Sequence, residues 1–199
     1  MRSVKGFGAI EILVALGLVA LLVAVALPRY EQSQVRSKIS TAKADLRQLA
    51  AGLEAYALDN GGNYAFDLLS TGWPWYPSDV LTTPICYLPG PSIPSDPFGN
   101  LNVPVGWRQY RYVNYPANLS PGWPPCYLPP DGPYHTRWFP VPDSTVNEGM
   151  ETFGKWKLSS GGPDLHANAN FLTEELVYDP SNGTVSGGDL IRCQRRGGL

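Results

Sequence analysis

The sequence lacks the short motifs that mark common catalytic and phosphate-binding sites. It has no P-loop, no Gly-x-Ser-x-Gly elbow, no His-Glu-x-x-His and no Gly-x-Gly-x-x-Gly after a strand. Histidine occurs only twice and cysteine three times among 199 residues, and no Cys-x-x-Cys pair exists. A zinc or thioredoxin-type site is therefore not expected, and we expect that the chain is not an enzyme.

Basic residues are slightly fewer than acidic ones, and proline is nearly absent before residue 73. The chain has 15 basic and 17 acidic residues. Arg2 and Lys5 are two of the basic ones, which leaves 13 against 17 after residue 6. This mild acidity gives no reason to expect nucleic acid as a partner. Nineteen of the 20 prolines follow residue 73, so long helices are expected only before that point.

The N-terminus joins a short basic segment to a long apolar one. Arg2 and Lys5 come first, and residues 12–28 carry no charge. As a helix, residues 7–28 would be roughly 33 Å long, which matches a hydrocarbon core of about 30 Å. The positive-inside rule places the N-terminus in the cytoplasm and the rest of the chain across the membrane. The sequence thus predicts a membrane anchor with an extracytoplasmic head.

Glu11 is the one charge near the start of this apolar segment. A carboxylate inside a membrane costs on the order of 2.5–3.5 kcal/mol on insertion scales. One interpretation is that Glu11 lies near the lipid headgroups and reaches them. The other is that it awaits a cationic partner inside the bilayer.

The residues around Glu11 have a known counterpart. Lys5-Gly6-Phe7, with Glu11 four residues after the Phe and an apolar run beyond, resembles the class III leader of type IV pilins and type II secretion pseudopilins. The resemblance implies that a prepilin peptidase cuts after Gly6 and methylates the amine of Phe7. It also implies a helical homopolymer, built by an inner-membrane assembly platform, in which Glu11 pairs with the Phe7 amine of a neighbouring subunit. An α-amine of pKa about 8 stays cationic at neutral pH and can compensate a buried carboxylate.

A second helical segment follows the apolar one. Apolar residues recur in steps of three and four after Pro28, which predicts one buried stripe on a helix. The Gly61-Gly62 pair predicts its end. We therefore divide the chain into a leader (1–6), a transmembrane and polymerisation helix (7–28), an amphipathic helix (29–60) and a head (61–199). The stripe consists of Val35, Ile39, Ala42, Leu46, Leu49, Leu53 and Tyr56.

The head is predicted to hold an antiparallel sheet. Alternating, aromatic-rich segments predict strands over 107–113 and 152–158, and shorter ones over 175–178 and 189–192. Asn182-Gly183 predicts a tight turn between the last two. The predicted fold class is α+β: a long N-terminal helix packed on a small antiparallel sheet with long Pro/Gly-rich loops.

Two further features of the head carry predictions. The segment 94–100 with the strand after it resembles the major pseudopilin of type II secretion. Residues 158–164 resemble the start of the region near the C-terminus where that family binds calcium, which implies a calcium ion among the C-terminal loops. Asp164, Asp179 and Asp189 are the candidate ligands, although Asp also flanks turns for its own reasons. For the cysteines, we expect a Cys86–Cys126 disulfide with Cys193 left over, since the first two lie in loop-like segments.

Two classes of function remain open. In one, the chain is a structural subunit of a type IV pilus-like filament or of a secretion pseudopilus. In the other, it is a monomeric membrane-anchored module whose aromatic loops, with Trp73, Trp75 and Tyr76, bind a glycan or serve in adhesion. A monomeric anchor gains nothing from Glu11, so the sequence favours the filament.

Overall fold

The chain divides into two compact units, Met1–Ser37 and Lys38–Leu199. This division differs from the boundaries predicted after residues 6, 28 and 60, which stay predictions. The computed structural model describes residues 8–66, 76–99, 109–119, 127–128, 139–140, 143–165 and 176–195.

The first element is one long helix. Helix α1 spans Ala9–Asp59 and continues through Pro28. A proline costs a helix one backbone hydrogen bond, and here the helical backbone persists past it. The helix ends at the predicted glycine pair, where Gly61 and Gly62 both have positive φ, a backbone region that glycine enters without steric cost. The predicted long N-terminal helix is confirmed.

One face of α1 is buried within the second unit, as the stripe predicted. Val35 and Tyr56, at the two ends of the stripe, are half-buried, and the members between them are buried. Packing is close at Gly52, where a Cβ atom would lie 2.6 Å from Leu88 Cδ2. The buried residues of the helix are Ile39, Ala42, Leu46, Leu49, Ala50, Gly52, Leu53 and Ala57.

A three-stranded antiparallel sheet forms the body of the head. Its strands are β1 (Arg111–Asn114), β4 (Trp156–Ser160) and β5 (Leu190–Cys193), in the order β1-β4-β5. In the register, Tyr112 pairs with Leu158 and Leu158 with Arg192. Every residue of the central strand β4 is buried. The predicted α+β class, a long helix packed on a small antiparallel sheet, is confirmed.

Polar side chains join α1 to this sheet. The hydroxyl of Tyr110 donates to Asp45 Oδ2 at 2.7 Å. Glu54 accepts two hydrogen bonds, one from Trp156 Nε1 at 3.0 Å and one from the Tyr64 hydroxyl at 2.9 Å. The partners lie just before β1, in β4 and on the chain that leaves the helix, so these bonds hold one side of α1 against the head.

A one-turn helix and a pair of two-residue strands are among the described elements between β1 and β4. Helix α2 (Tyr115–Asn118) begins at Asn114, whose side chain accepts from the Ala117 N–H. Strands β2 (Tyr127–Leu128) and β3 (Phe139–Pro140) form a separate antiparallel pair.

Helix α3 (Asp143–Phe153) was not predicted, and it corrects the strand expected over 152–158. Residues 152 and 153 end this helix, Gly154 turns the chain with φ 92°, and the strand starts only at Trp156. Val146, Met150 and Phe153 recur at helical spacing and pack into one apolar cluster around Val113, Tyr115 and Cys193. The rings of Tyr115 and Phe153 are nearly parallel, and their centroids lie 6.4 Å apart.

The predicted hairpin around Asn182-Gly183 was also wrong. The described residues of 175–178 contribute a single parallel bridge, Val177 to Asp189, and 180–185 form a 3-10 turn. Asp179 starts that turn, with its side chain accepting the Ser181 N–H at 2.8 Å. Proline next to a capping aspartate favours such a turn, and it displaces the two-residue hairpin that Asn-Gly alone would favour. The prediction over 189–192 is confirmed as β5.

Candidate functional site

Glu11 lies in the first turn of α1, where its carboxylate caps the helix. Its Oε2 accepts the backbone N–H of Gly8 at 3.0 Å, and the Gly8 carbonyl accepts the N–H groups of Glu11 and Ile12. This is one half of a capping box, in which an acidic residue at the third helical position satisfies the N-cap amide. Gly8 has no side chain to form the other half. The sequence interpretation missed this contact, although Glu three residues after a potential cap is its usual signal. Gly6 and Phe7, the predicted processing residues, lie outside the described residues.

The apolar part of α1 is exposed along its whole length. Ile10, Leu16 and Leu22 are 60–74% exposed, and no described residue between Gly8 and Tyr30 is buried. By length and composition alone, this part of the helix is able to cross a membrane. A signal sequence meets the same criterion, whereas a soluble core helix would be buried. The apolar N-terminal helix therefore indicates membrane anchoring.

In the second unit, a charged cluster of two buried aspartates and the half-buried Arg111 lies at the start of β1. Arg111 is attracted by Asp96 and Asp189, while its burial lowers the pKa of the guanidinium. Asp96 is 6% exposed, and its Oδ1 accepts the Phe98 N–H at 2.9 Å and the Ser160 hydroxyl at 2.8 Å. Burial outweighs these favourable contacts and raises the pKa of Asp96 from 3.8 to about 6. The cluster ties the 94–99 loop to two strands of the sheet.

The structure does not bring the three aspartates of the predicted calcium site together as a set of ligands. In the described part of the chain, no three acidic, histidine or cysteine side chains are grouped so that they could hold a metal. Asp189 is buried beside Arg111. Asp179 caps the 3-10 turn, and the hydrogen bonds from Ser181 lower its pKa. Asp164 stands next to Gly187, where a Cβ atom would lie 3.4 Å from its Oδ2.

The backbones of the loops that carry these aspartates nevertheless approach one another closely at two glycines. A Cβ atom on Gly162 would collide with the carbonyl oxygen of Gly188, and one on Gly188 would lie 2.7 Å from Val177 and Tyr178 backbone atoms. The backbones therefore approach too closely for side chains at these two glycines. Asp179 caps its own turn, which is the local role that aspartate often has at turns. Asp189 lies beside Arg111 from a distant segment, and a sequence pattern does not reveal that contact.

Of the three cysteines, two are described. Cys86 is exposed and its thiol donates to the Leu88 carbonyl, whereas Cys193 is buried in the apolar cluster. These two residues are not joined to each other. Cys126 lies outside the described residues, so its pairing with Cys86 stays a prediction. Trp73 and Trp75 lie outside them as well.

Part of this chain is similar in sequence to a known secretion protein. Type II secretion system core protein G of Pseudomonas aeruginosa is 36% identical over 59 residues, which are 30% of this chain and 42% of that protein. The chain therefore matches less than half the length of that relative. No family model matches the chain, and no solved structure matches it. The similarity supports membership of the pilin and pseudopilin group at most.

Proposed function

We propose that this chain is a non-catalytic, structural subunit that polymerises through α1 into a type IV pilus-like filament or a type II secretion pseudopilus. A prepilin peptidase removes residues 1–6, and before assembly the subunit is anchored in the inner membrane with its head outside the cytoplasm. An assembly platform then stacks subunits so that Glu11 pairs with the Phe7 amine of a neighbour. The similarity to a secretion core protein supports this choice of class.

The observation that carries the proposal is the contrast between the two parts of α1. From Ile39 to Ala57 the helix buries a stripe in its own head, whereas from Ile10 to Leu27 its large apolar side chains are about half exposed or more. Burying such side chains stabilises by roughly 25 cal/mol per Å² removed from water. Lipid can cover the apolar part in the single subunit, and the same part of other copies can cover it in a filament.

Glu11 distinguishes a filament subunit from a simple anchor. The cap on Gly8 satisfies part of its hydrogen-bonding capacity, but a backbone N–H supplies no opposite charge, and Glu11 is exposed. A cationic amine from a neighbouring copy compensates that charge in a low-dielectric bundle. A monomeric anchor has no neighbouring chain that could supply such an amine.

The test separates the cap from the charge by two substitutions. Glu11→Gln keeps an oxygen that accepts the Gly8 N–H but removes the charge, and Glu11→Ala removes both. Glu31→Gln, which neutralises an exposed carboxylate beyond the apolar part, is the matched control. We expect both Glu11 variants to insert into membranes but to yield almost no filaments in shearing assays, and the control to assemble normally. Normal filament yield from Glu11→Gln would reduce Glu11 to a helix cap and remove the proposed assembly contact.

A further inference from the structure

From the exposed polar residues that directly follow the apolar part of α1, we infer a binding site for the headgroups of anionic phospholipids in the leaflet on the head's side. The site consists of Arg29 and Arg36, with Tyr30 as its aromatic member. All three side chains are exposed, Tyr30 by 63%. The inference rests on the proposed membrane insertion of α1 but not on filament assembly.

The two arginines share one face of the helix. They are seven residues apart, which is 20° short of two turns at 100° per residue, and about 10 Å apart along the axis. Glu31 is 200° from Arg29 and so projects from the opposite side. Between the arginines, the same face offers neutral Gln32 and Ser33, so its charge is purely positive while the carboxylate faces away.

The height of these residues above the bilayer matches the headgroup layer. If Leu27 ends the hydrocarbon-spanning part, Arg29 and Tyr30 lie within the first turn beyond it. The polar layer on each side of a bilayer is roughly 5–8 Å thick. Helical side chains lean toward the N-terminus of their helix, which here is the direction of the membrane. The Cα atom of Arg36 lies above the phosphate groups, and its side chain can therefore reach back toward them.

The chemistry of these side chains selects an anionic lipid. A guanidinium is charged at every accessible pH and binds phosphate oxygens through two parallel N–H donors. Tyrosine is enriched at membrane–water boundaries because its ring is apolar and its hydroxyl is wet. Each basic residue near an anionic membrane surface changes the association constant about fivefold, and salt screens the effect.

The experiment measures lipid selectivity with the full chain in bilayers of phosphatidylcholine. Spin-labelled phosphatidylglycerol and spin-labelled phosphatidylcholine are added separately, and electron paramagnetic resonance gives the association of each with the protein. We expect the wild type to prefer phosphatidylglycerol, with the preference reduced about fivefold by Arg29→Gln or Arg36→Gln and abolished by both together. High salt should abolish it in the wild type. Arg47→Gln, an equally exposed arginine in the second unit, should leave it unchanged.

Two results would overturn the site. The first is a double variant that keeps the preference, and the second is an Arg47→Gln variant that loses as much as the others. If a double variant that keeps the preference also forms no filaments, this face is a contact between copies instead. The proposed function fails separately, when Glu11 variants assemble normally while the lipid preference persists.

Discussion

Asp96 should make the head less stable as the pH rises through mild acidity. The perturbation is Asp96→Asn, which has nearly the same shape, keeps an oxygen that accepts the Phe98 N–H, and cannot ionise. In the unfolded chain Asp96 titrates near 3.8, and in the folded head near 6. Between these values the unfolded chain has released the proton and the folded one still holds it, so stability falls as pH rises.

The size of the effect follows from the two pKa values. Each unit of difference corresponds to 1.36 kcal/mol, so ionising Asp96 in the folded head costs about 3 kcal/mol in all. The loss begins near pH 4 and is complete somewhat above pH 6. Asp96 is almost fully buried, so solvent screening reduces this figure little. The Arg111 charge and the Ser160 hydroxyl already oppose the shift, and burial still prevails.

The assay is urea unfolding of the fragment 29–199, followed by tryptophan fluorescence from pH 3.5 to 7.5. The free energy of unfolding of the wild type, minus that of Asp96→Asn, should decrease by about 3 kcal/mol across the window and stay constant above it. Taking the difference cancels the other titrating groups. A difference that rises with pH would mean that Arg111 holds the carboxylate ionised, and the reasoning from burial would then be refuted.

Two further changes test how the head holds α1. Leu46→Ala removes a fully buried side chain of the stripe and should lower the free energy of unfolding by about 2–5 kcal/mol. Leu58 is 84% exposed, so Leu58→Ala should change the free energy of unfolding by less than about 0.5 kcal/mol. Equal effects of the two variants would contradict the packing of α1. Glu54→Ala leaves the Tyr64 hydroxyl and Trp156 Nε1 without their acceptor and should cost about 2 kcal/mol at roughly 1 per bond. Glu54→Gln should cost less than half as much, and an unchanged urea midpoint in Glu54→Ala would show that neither bond matters in solution.

Those parts of the fold that depend on local periodicity were predictable. The stripe from Ile39 to Leu53 repeats every three or four residues, and the Gly61-Gly62 pair has no Cβ atoms to oppose positive φ. Strand β5 was predicted from a short apolar run. In each case, neighbouring residues alone determine the structure.

Other parts depend on residues far apart in the chain. Helix α3 has its own helical pattern, with Val146, Met150 and Phe153 on one face, but its position in a proline-rich region hid that signal. The charged cluster joins Asp96 to Arg111 and Asp189 across three separate segments. No spacing along the sequence predicts such a meeting, so Asp189 could not be recognised as a partner of Arg111. The cap that Asp179 forms on Ser181 is local, and the sequence allowed for it as the alternative to a calcium ligand.

The central claim is that copies of this chain form a filament through a processed α1. The most direct measurement is immunogold electron microscopy of sheared material from cells that express the chain with a prepilin peptidase and an assembly platform, joined to intact-mass spectrometry of the labelled material. The account predicts labelled filaments whose subunit begins at a methylated Phe7. Membrane-bound chains that retain Met1 or Arg2, with no labelled filament in the sheared fraction, would contradict it.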